Sequence, residues 1–111
     1  MAATPSRRSP IAPDWHERLV TVFGALSDPT RMEMLELIVQ RGEVGCAEFD
    51  ERFPLSKSTI SYHAKILHAA GLIETRREGK FFFYRPLLDR LESDLPGLVE
   101  RLRGSARLAA R

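Results

Sequence analysis

The chain has 111 residues, with 17 Lys+Arg, 15 Asp+Glu, 43% hydrophobic residues and one cysteine. That is the size of one small domain, with a core modest enough that a second copy sharing burial is expected. A lone cysteine excludes an internal disulfide framework, a cysteine-rich zinc site and a CxxC redox pair, and no run approaches the ~18 apolar residues of a membrane span. The opening MAATPSRRSPIAP lacks the apolar stretch of a secretory signal, so a soluble cytoplasmic domain is expected.

Charge is segregated along the chain. Residues 33–54 hold six acids and two arginines, for −4, whereas residues 55–86 hold six cations and two acids, for +4. Such polarity suits a molecule whose basic side meets a polyanion, although charges on solvated faces look the same in sequence.

Residues 1–13, rich in Pro, Ser and Arg, read as a flexible tail before a domain over 14–103, with 104–111 as a basic C-terminal tail. Asp14 and Glu17 suggest a capping box, followed by Trp15, Leu19, Val22, Phe23 and Leu26 as the apolar stripe of a first helix. Ser27-Asp28-Pro29 is a stop and restart, with proline where the first helical turn needs no donor. Met32, Leu35, Ile38 and Val39 form the buried face of a second helix, ended by Gly42. A short helix is expected from Cys46 to Phe53. A fourth, capped by Ser56, runs from Lys57 to Ala70, with Ile60, Ala64 and Leu67 inward. Leu72–Arg77 and Lys80–Arg85, separated by Glu78-Gly79, then give a β-hairpin signal. Its second strand is apolar on both faces, which leaves the core face open. A last helix is expected to start near Asp94, with Leu95, Leu98, Val99 and Leu102 as its stripe and Pro96 in its first turn.

A helix pair joined by a short turn, followed by a hairpin with a basic tip, is the order of a winged helix-turn-helix: mainly α, about five helices and two antiparallel strands. The second helix of such a pair fits the major groove, about 12 Å wide, and the hairpin reaches neighbouring phosphates. Lys57, Ser58, Ser61, Tyr62 and Lys65 lie on the exposed side of the fourth helix, and Arg76, Arg77 and Lys80 surround the hairpin tip. Cations and small hydroxyls almost without acids suit DNA better than the competing reading, a winged-helix protein-interaction module.

At SDPTR (27–31) and LSKSTISYHAKILHAAGLIETRREGKFFFYR (55–85) the sequence resembles the ArsR/SmtB-type bacterial transcriptional regulators, over about Asp14 to Leu102. The resemblance implies a homodimer built from the first and last helices. It also implies an imperfect palindromic operator and affinity changed by a metal ion or another small signal. It places His63 where the family braces the reading helix or touches phosphate. The apolar stripes of those two helices, Trp15, Leu19, Val22 and Phe23 with Leu95, Leu98, Val99 and Leu102, exceed what one small core needs and are the expected dimer contacts. The family's thiol-bearing segment corresponds here to Glu43-Val44-Gly45-Cys46-Ala47-Glu48-Phe49. Gly45 and Ala47 replace both sulfur ligands, so Cys46 reads as a small core residue.

The last helix holds no histidine, and carboxylates alone make poor nickel or zinc sites. His16 with Asp89 or Glu92 of a second chain is the remaining candidate for a divalent metal, set against His16 as a plain exposed residue. Dependence on a partner protein instead of a metal stays open. His63 and His68 are five apart and do not share a helix face. Phe81-Phe82-Phe83 reads as a strand closing the core in preference to a stacking platform. No nucleophile–base pair, metal cage or phosphate-cradling glycine loop is present, so catalysis is not expected.

Overall fold

The computed structural model describes residues 14–109, with side chains described as far as Gly104. The tail expected over residues 1–13, and positions 110–111, lie outside them. The element order is α1 (Asp14–Ala25), α2 (Pro29–Arg41), β1 (Val44–Gly45), α3 (Cys46–Arg52), α4 (Lys57–Ala69), β2 (Ile73–Glu78), β3 (Phe81–Pro86), α5 (Leu88–Asp94) and α6 (Leu98–Ala109).

The helix starts follow the sequence signals. Asp28, extended, accepts the Arg31 N–H at 3.1 Å and caps α2, with Pro29 at its first position. Gly42, at φ 81°, closes α2 through its N–H to the Ile38 carbonyl. Ser56 caps α4, its Oγ accepting from the Thr59 N–H at 3.2 Å.

The core is built on Val22 of α1, Met34, Leu35 and Ile38 of α2, Phe49 of α3, Leu67 of α4, Leu72 after it, and Leu91 of α5, all fully buried. Removing each such side chain from water is worth about 1.5–3 kcal/mol. The hairpin joins this core at its base only: Ile73 and Tyr84 are buried, and the rest of β2 is exposed. Register alternation therefore settles the core face that the pattern left open.

The structure departs from the expected elements in four places. There are six helices among the described residues, because α5 and α6 are separate: Leu95 is the C-cap residue of α5, and Pro96-Gly97 link the two helices. Leu95 thus precedes the final helix instead of belonging to its stripe. Val44–Gly45 forms a third strand, giving the antiparallel order β1-β3-β2. The hairpin turn sits one residue later than expected, since Glu78 pairs with Phe81 and leaves Gly79-Lys80 as the loop. Gly79 has φ 63°, the left-handed conformation that a tight hairpin turn requires and a side chain disfavours. Finally, α6 continues to Ala109, through most of the stretch read as a C-terminal tail.

Candidate nucleic-acid interface

α4 divides into two faces by its own period. Ile60, Ala64 and Leu67 are buried, while Ser58, Tyr62 and Lys65 are exposed, with Ser61 half-buried beside them and Lys57 exposed in the first turn. Positions 58, 61, 62 and 65 share one surface stripe, and Tyr62, whose ring lies 5.5 Å from that of His63, is still 60% exposed. The wing stands next to that stripe: Ser61 and Lys65 line one small cavity together with Thr75, Phe82 and Tyr84.

The basic wing residues are not equivalent. Arg76 donates from Nε to Glu43 at 3.2 Å, approaches Glu78 at 3.3 Å and lies 4.6 Å over the Phe83 ring. The Glu43 hydrogen bond is the main reason its guanidinium is held charged even more firmly than an ordinary arginine. Arg77 donates from Nε to the Gly79 carbonyl at 2.9 Å and stacks 5.4 Å from Phe82; Lys80 sits 5.9 Å over Phe81. Among the described residues no carboxylate pairs with Lys57, Lys65, Arg77 or Lys80. Those four present their charge outward, while Arg76 ties the wing to the α2–β1 connection.

His63 is half-buried, its Nδ1 3.1 Å from Nη1 of Arg31. Arg31 also donates from Nε to the Ala25 carbonyl at 2.6 Å and from Nη2 to Gly24 at 3.5 Å. A second clamp was not anticipated from sequence. Arg18 of α1 holds Asp94 at the end of α5 (Nη2–Oδ2 2.8 Å) and donates to the Ala70 carbonyl behind α4. The only sequence signal for it is an arginine on the border of the α1 stripe.

The expected dimer residues split into two groups. Trp15 and Phe23 are 58% and 54% exposed, and the neighbouring Val20, not singled out from sequence, is more exposed still. Leu19, Leu95 and Leu98 are half-buried, whereas Val22, Val99 and Leu102 already belong to the protomer's own core. His16 is exposed, edge-on to Trp15 at 4.0 Å; Asp89 and Glu92 are exposed on α5, and Glu92 accepts the Gly97 N–H at 3.4 Å. Among the described residues of one chain, no three His, Cys, Asp or Glu side chains come together as a metal site. Cys46 is half-buried against the core. No helix among the described residues is long and apolar enough to cross a membrane.

A helix pair whose second member, α4, has an acid-free outer face, with a basic hairpin beside it, defines a winged helix-turn-helix DNA-binding protein. Residues 26–76 match the model of a helix-turn-helix domain family. An HTH-type transcriptional regulator of Methanocaldococcus jannaschii is 32% identical over 87 residues, spanning 78% of this chain and 97% of the relative. An ArsR-like transcriptional regulator from Rhodococcus is 34% identical, with a TM-score of 0.62 over 86% of this chain and 90% of that one. The homodimeric winged helix-turn-helix domain of a possible ArsR-family regulator from Mycobacterium bovis shares the fold at 24% identity, with a TM-score of 0.65 over 95% of this chain and 89% of that one. This chain belongs to the ArsR family of winged helix-turn-helix transcriptional regulators. It is a DNA-binding regulator, and proteins of this kind are not enzymes.

Proposed function

We propose that the chain works in the cytoplasm as a homodimer that reads an imperfect palindromic operator in duplex DNA. α4 enters the major groove with Ser58, Ser61 and Tyr62 toward base edges. Lys57, Lys65, Arg77 and Lys80 neutralise phosphates, and His63 and Arg76 set the positions of α4 and the wing. The observation that carries this reading is the coexistence, beside one acid-free helix face, of four cations that no carboxylate engages among the described residues. The exposed Trp15, Val20 and Phe23 on α1, together with the homodimeric Mycobacterium bovis relative, support pairing of two copies.

Selection from randomised duplexes tests it. The expected product is a pair of inverted half-sites whose centres lie about 10 bp or a multiple of that apart. Recovery of no enriched sequence, or of isolated half-sites only, overturns the reading.

For an effector, a nickel or zinc ion would require donors from two copies, with His16 of one and Asp89 and Glu92 of the other. Imidazole with carboxylates is a suitable set for either ion, and all three side chains are exposed.

A further inference from the structure

Between α3, the first turns of α4 and the wing lies a cavity of about 520 Å³. Much of its wall is carbon, from Ile60 on α4 and from Phe81 and Phe82 on β3. Lys57 and Lys80 also line it, as does Asp50 of α3. Tyr84 completes the wall. Its side chain is 7% exposed and its ring lies 5.7 Å from that of Phe49, while its hydroxyl, which makes no hydrogen bond among the described residues, is reached by solvent from the cavity. Burial, and after it the nearby Cys46 and Asp50, push this phenol above its ordinary 10.0, so the hydroxyl keeps its proton and remains a donor.

A DNA backbone does not call for such a wall. Phosphates are met by cations, hydroxyls and backbone amides, whereas an aromatic groove with a few convergent polar groups suits a small planar molecule. Two lysines and one aspartate leave the lining at +1, which matches a monoanion. The Tyr84 hydroxyl and the Asp50 carboxylate offer a donor and an acceptor to one group that both accepts and donates, as a ligand hydroxyl does.

We propose that this groove binds a hydroxylated aromatic carboxylic acid. Its ring lies between Ile60 and the wing phenylalanines, its carboxylate meets Lys57 and Lys80, and its hydroxyl meets Tyr84 and Asp50. Because the same two lysines are assigned to phosphates, a bound acid releases duplex DNA. That consequence rests on the DNA-binding reading; the binding itself does not.

The test is a fluorescence titration of the full chain with 6-hydroxy-2-naphthoate, expected to saturate at submillimolar concentration. Removing the hydroxyl (2-naphthoate) should weaken binding by up to about tenfold, the net worth of one hydrogen bond. A cationic analogue, 2-naphthylmethylammonium, should bind more weakly still. Tyr84→Phe, shown by circular dichroism to be folded, should reduce the preference for the hydroxy acid over 2-naphthoate, and Tyr84→Phe with Asp50→Ala should abolish it. Ala47 is exposed on α3 and lines the same cavity. Ala47→Phe fills the groove and should eliminate acid binding while leaving duplex binding unchanged. Absence of saturation, equal binding of the cationic analogue, or an Ala47→Phe chain that binds the acid normally overturns the proposal. A separate duplex titration without the acid distinguishes the two readings. A chain that takes the acid but no DNA overturns the proposed function and leaves the site standing.

Discussion

Nδ1 of His63 faces Nη1 of Arg31 at 3.1 Å, so one guanidinium joins the reading helix to the carbonyls that end α1. A guanidinium only donates, which makes Nδ1 the acceptor and leaves the ring proton of the neutral imidazole on Nε2. The SDPTR stretch is thus a cap and a strut together: Asp28 starts α2, and Arg31 fixes α4 against α1. Arg31→Met leaves the Ala25 carbonyl without this donor and should cost about 1.5–3 kcal/mol, the range for hydrogen bonds from a charged group. His63→Phe should cost less, because the other bonds of Arg31 survive it. The two effects should fall short of additivity in urea denaturation, since both variants remove the same contact. Full additivity would show that the contact does not couple the helices.

Asp28 gives a pH signature. The backbone N–H of Arg31, chiefly, holds its carboxyl below the ordinary 3.8 in the folded chain, with the Thr30 N–H and the Arg31 charge adding to the effect. A group depressed by folding stabilises above its unfolded pKa, and that contribution disappears as pH falls through the folded value. Asp28→Asn keeps a capping oxygen but not the charge. The wild type should therefore exceed Asp28→Asn in urea midpoint at pH 6, and the gap should close as pH falls below 3.8. A gap independent of pH across that window would assign the cap no charge component.

The folding pattern was largely legible, because caps and periods are local. Asp28-Pro29, Ser56 and Gly42 mark helix ends through their own backbone chemistry, and the i, i+4, i+7 set of Ile60, Ala64 and Leu67 is the buried face of α4. What escaped depends on partners distant in sequence. β1 is two residues long and exists only because Val44 and Gly45 pair with Tyr84 and Phe83. Leu88, Leu91 and Leu95 did carry a helical spacing for α5, overshadowed by Pro96 as a helix start. Of the expected dimer stripe, periodicity could not separate Val22, which faces the protomer core, from Phe23, which does not, since both lie within the same apolar arc. At the interface the residue types were readable, but the engagement of Arg76 by Glu43, 33 positions away, was not.

Self-association should depend on the exposed ridge of α1. Phe23→Glu places a charge on a surface that is 54% open in the protomer and disturbs no core contact. It should give a 12.6 kDa species in sedimentation at micromolar concentration, where the wild type sediments at twice that mass. Val22→Glu, by contrast, should unfold the protomer, because Val22 is fully buried. A Phe23→Glu chain that stays dimeric would move the interface off α1.

Metal uptake, where it occurs, should require His16 and two copies. Native mass spectrometry of the wild type across Ni²⁺ and Zn²⁺ should show ions on the dimer only. His16→Ala, and the monomeric Phe23→Glu, should both lose them. Unchanged stoichiometry and affinity in His16→Ala would remove this residue from any metal site.

The reading helix and the wing should fail in different ways. Ser61 and Tyr62 offer hydroxyls on the outer face of α4, so replacing either by Ala should reduce discrimination between operator and scrambled duplex. The loss should be about 1–3 kcal/mol where a good base contact goes. Lys80 has no carboxylate partner among the described residues, and Lys80→Ala should weaken both duplexes equally while lowering the salt slope by about 0.9 for one phosphate lost. Arg77→Ala should do the same, and it also releases the Gly79 carbonyl contact that stiffens the hairpin tip. Arg76→Ala should behave as neither. Its charge is already matched by Glu43 and Glu78, so the salt slope should barely change while the hairpin loses its tie to the α2–β1 connection. That loosening should appear as faster hydrogen exchange along β2 and a smaller, sequence-independent drop in affinity. Paired titrations on operator and scrambled DNA at several salt concentrations separate the three classes. An Arg76→Ala slope as reduced as that of Lys80→Ala would show that Arg76 leaves Glu43 for a phosphate when DNA binds.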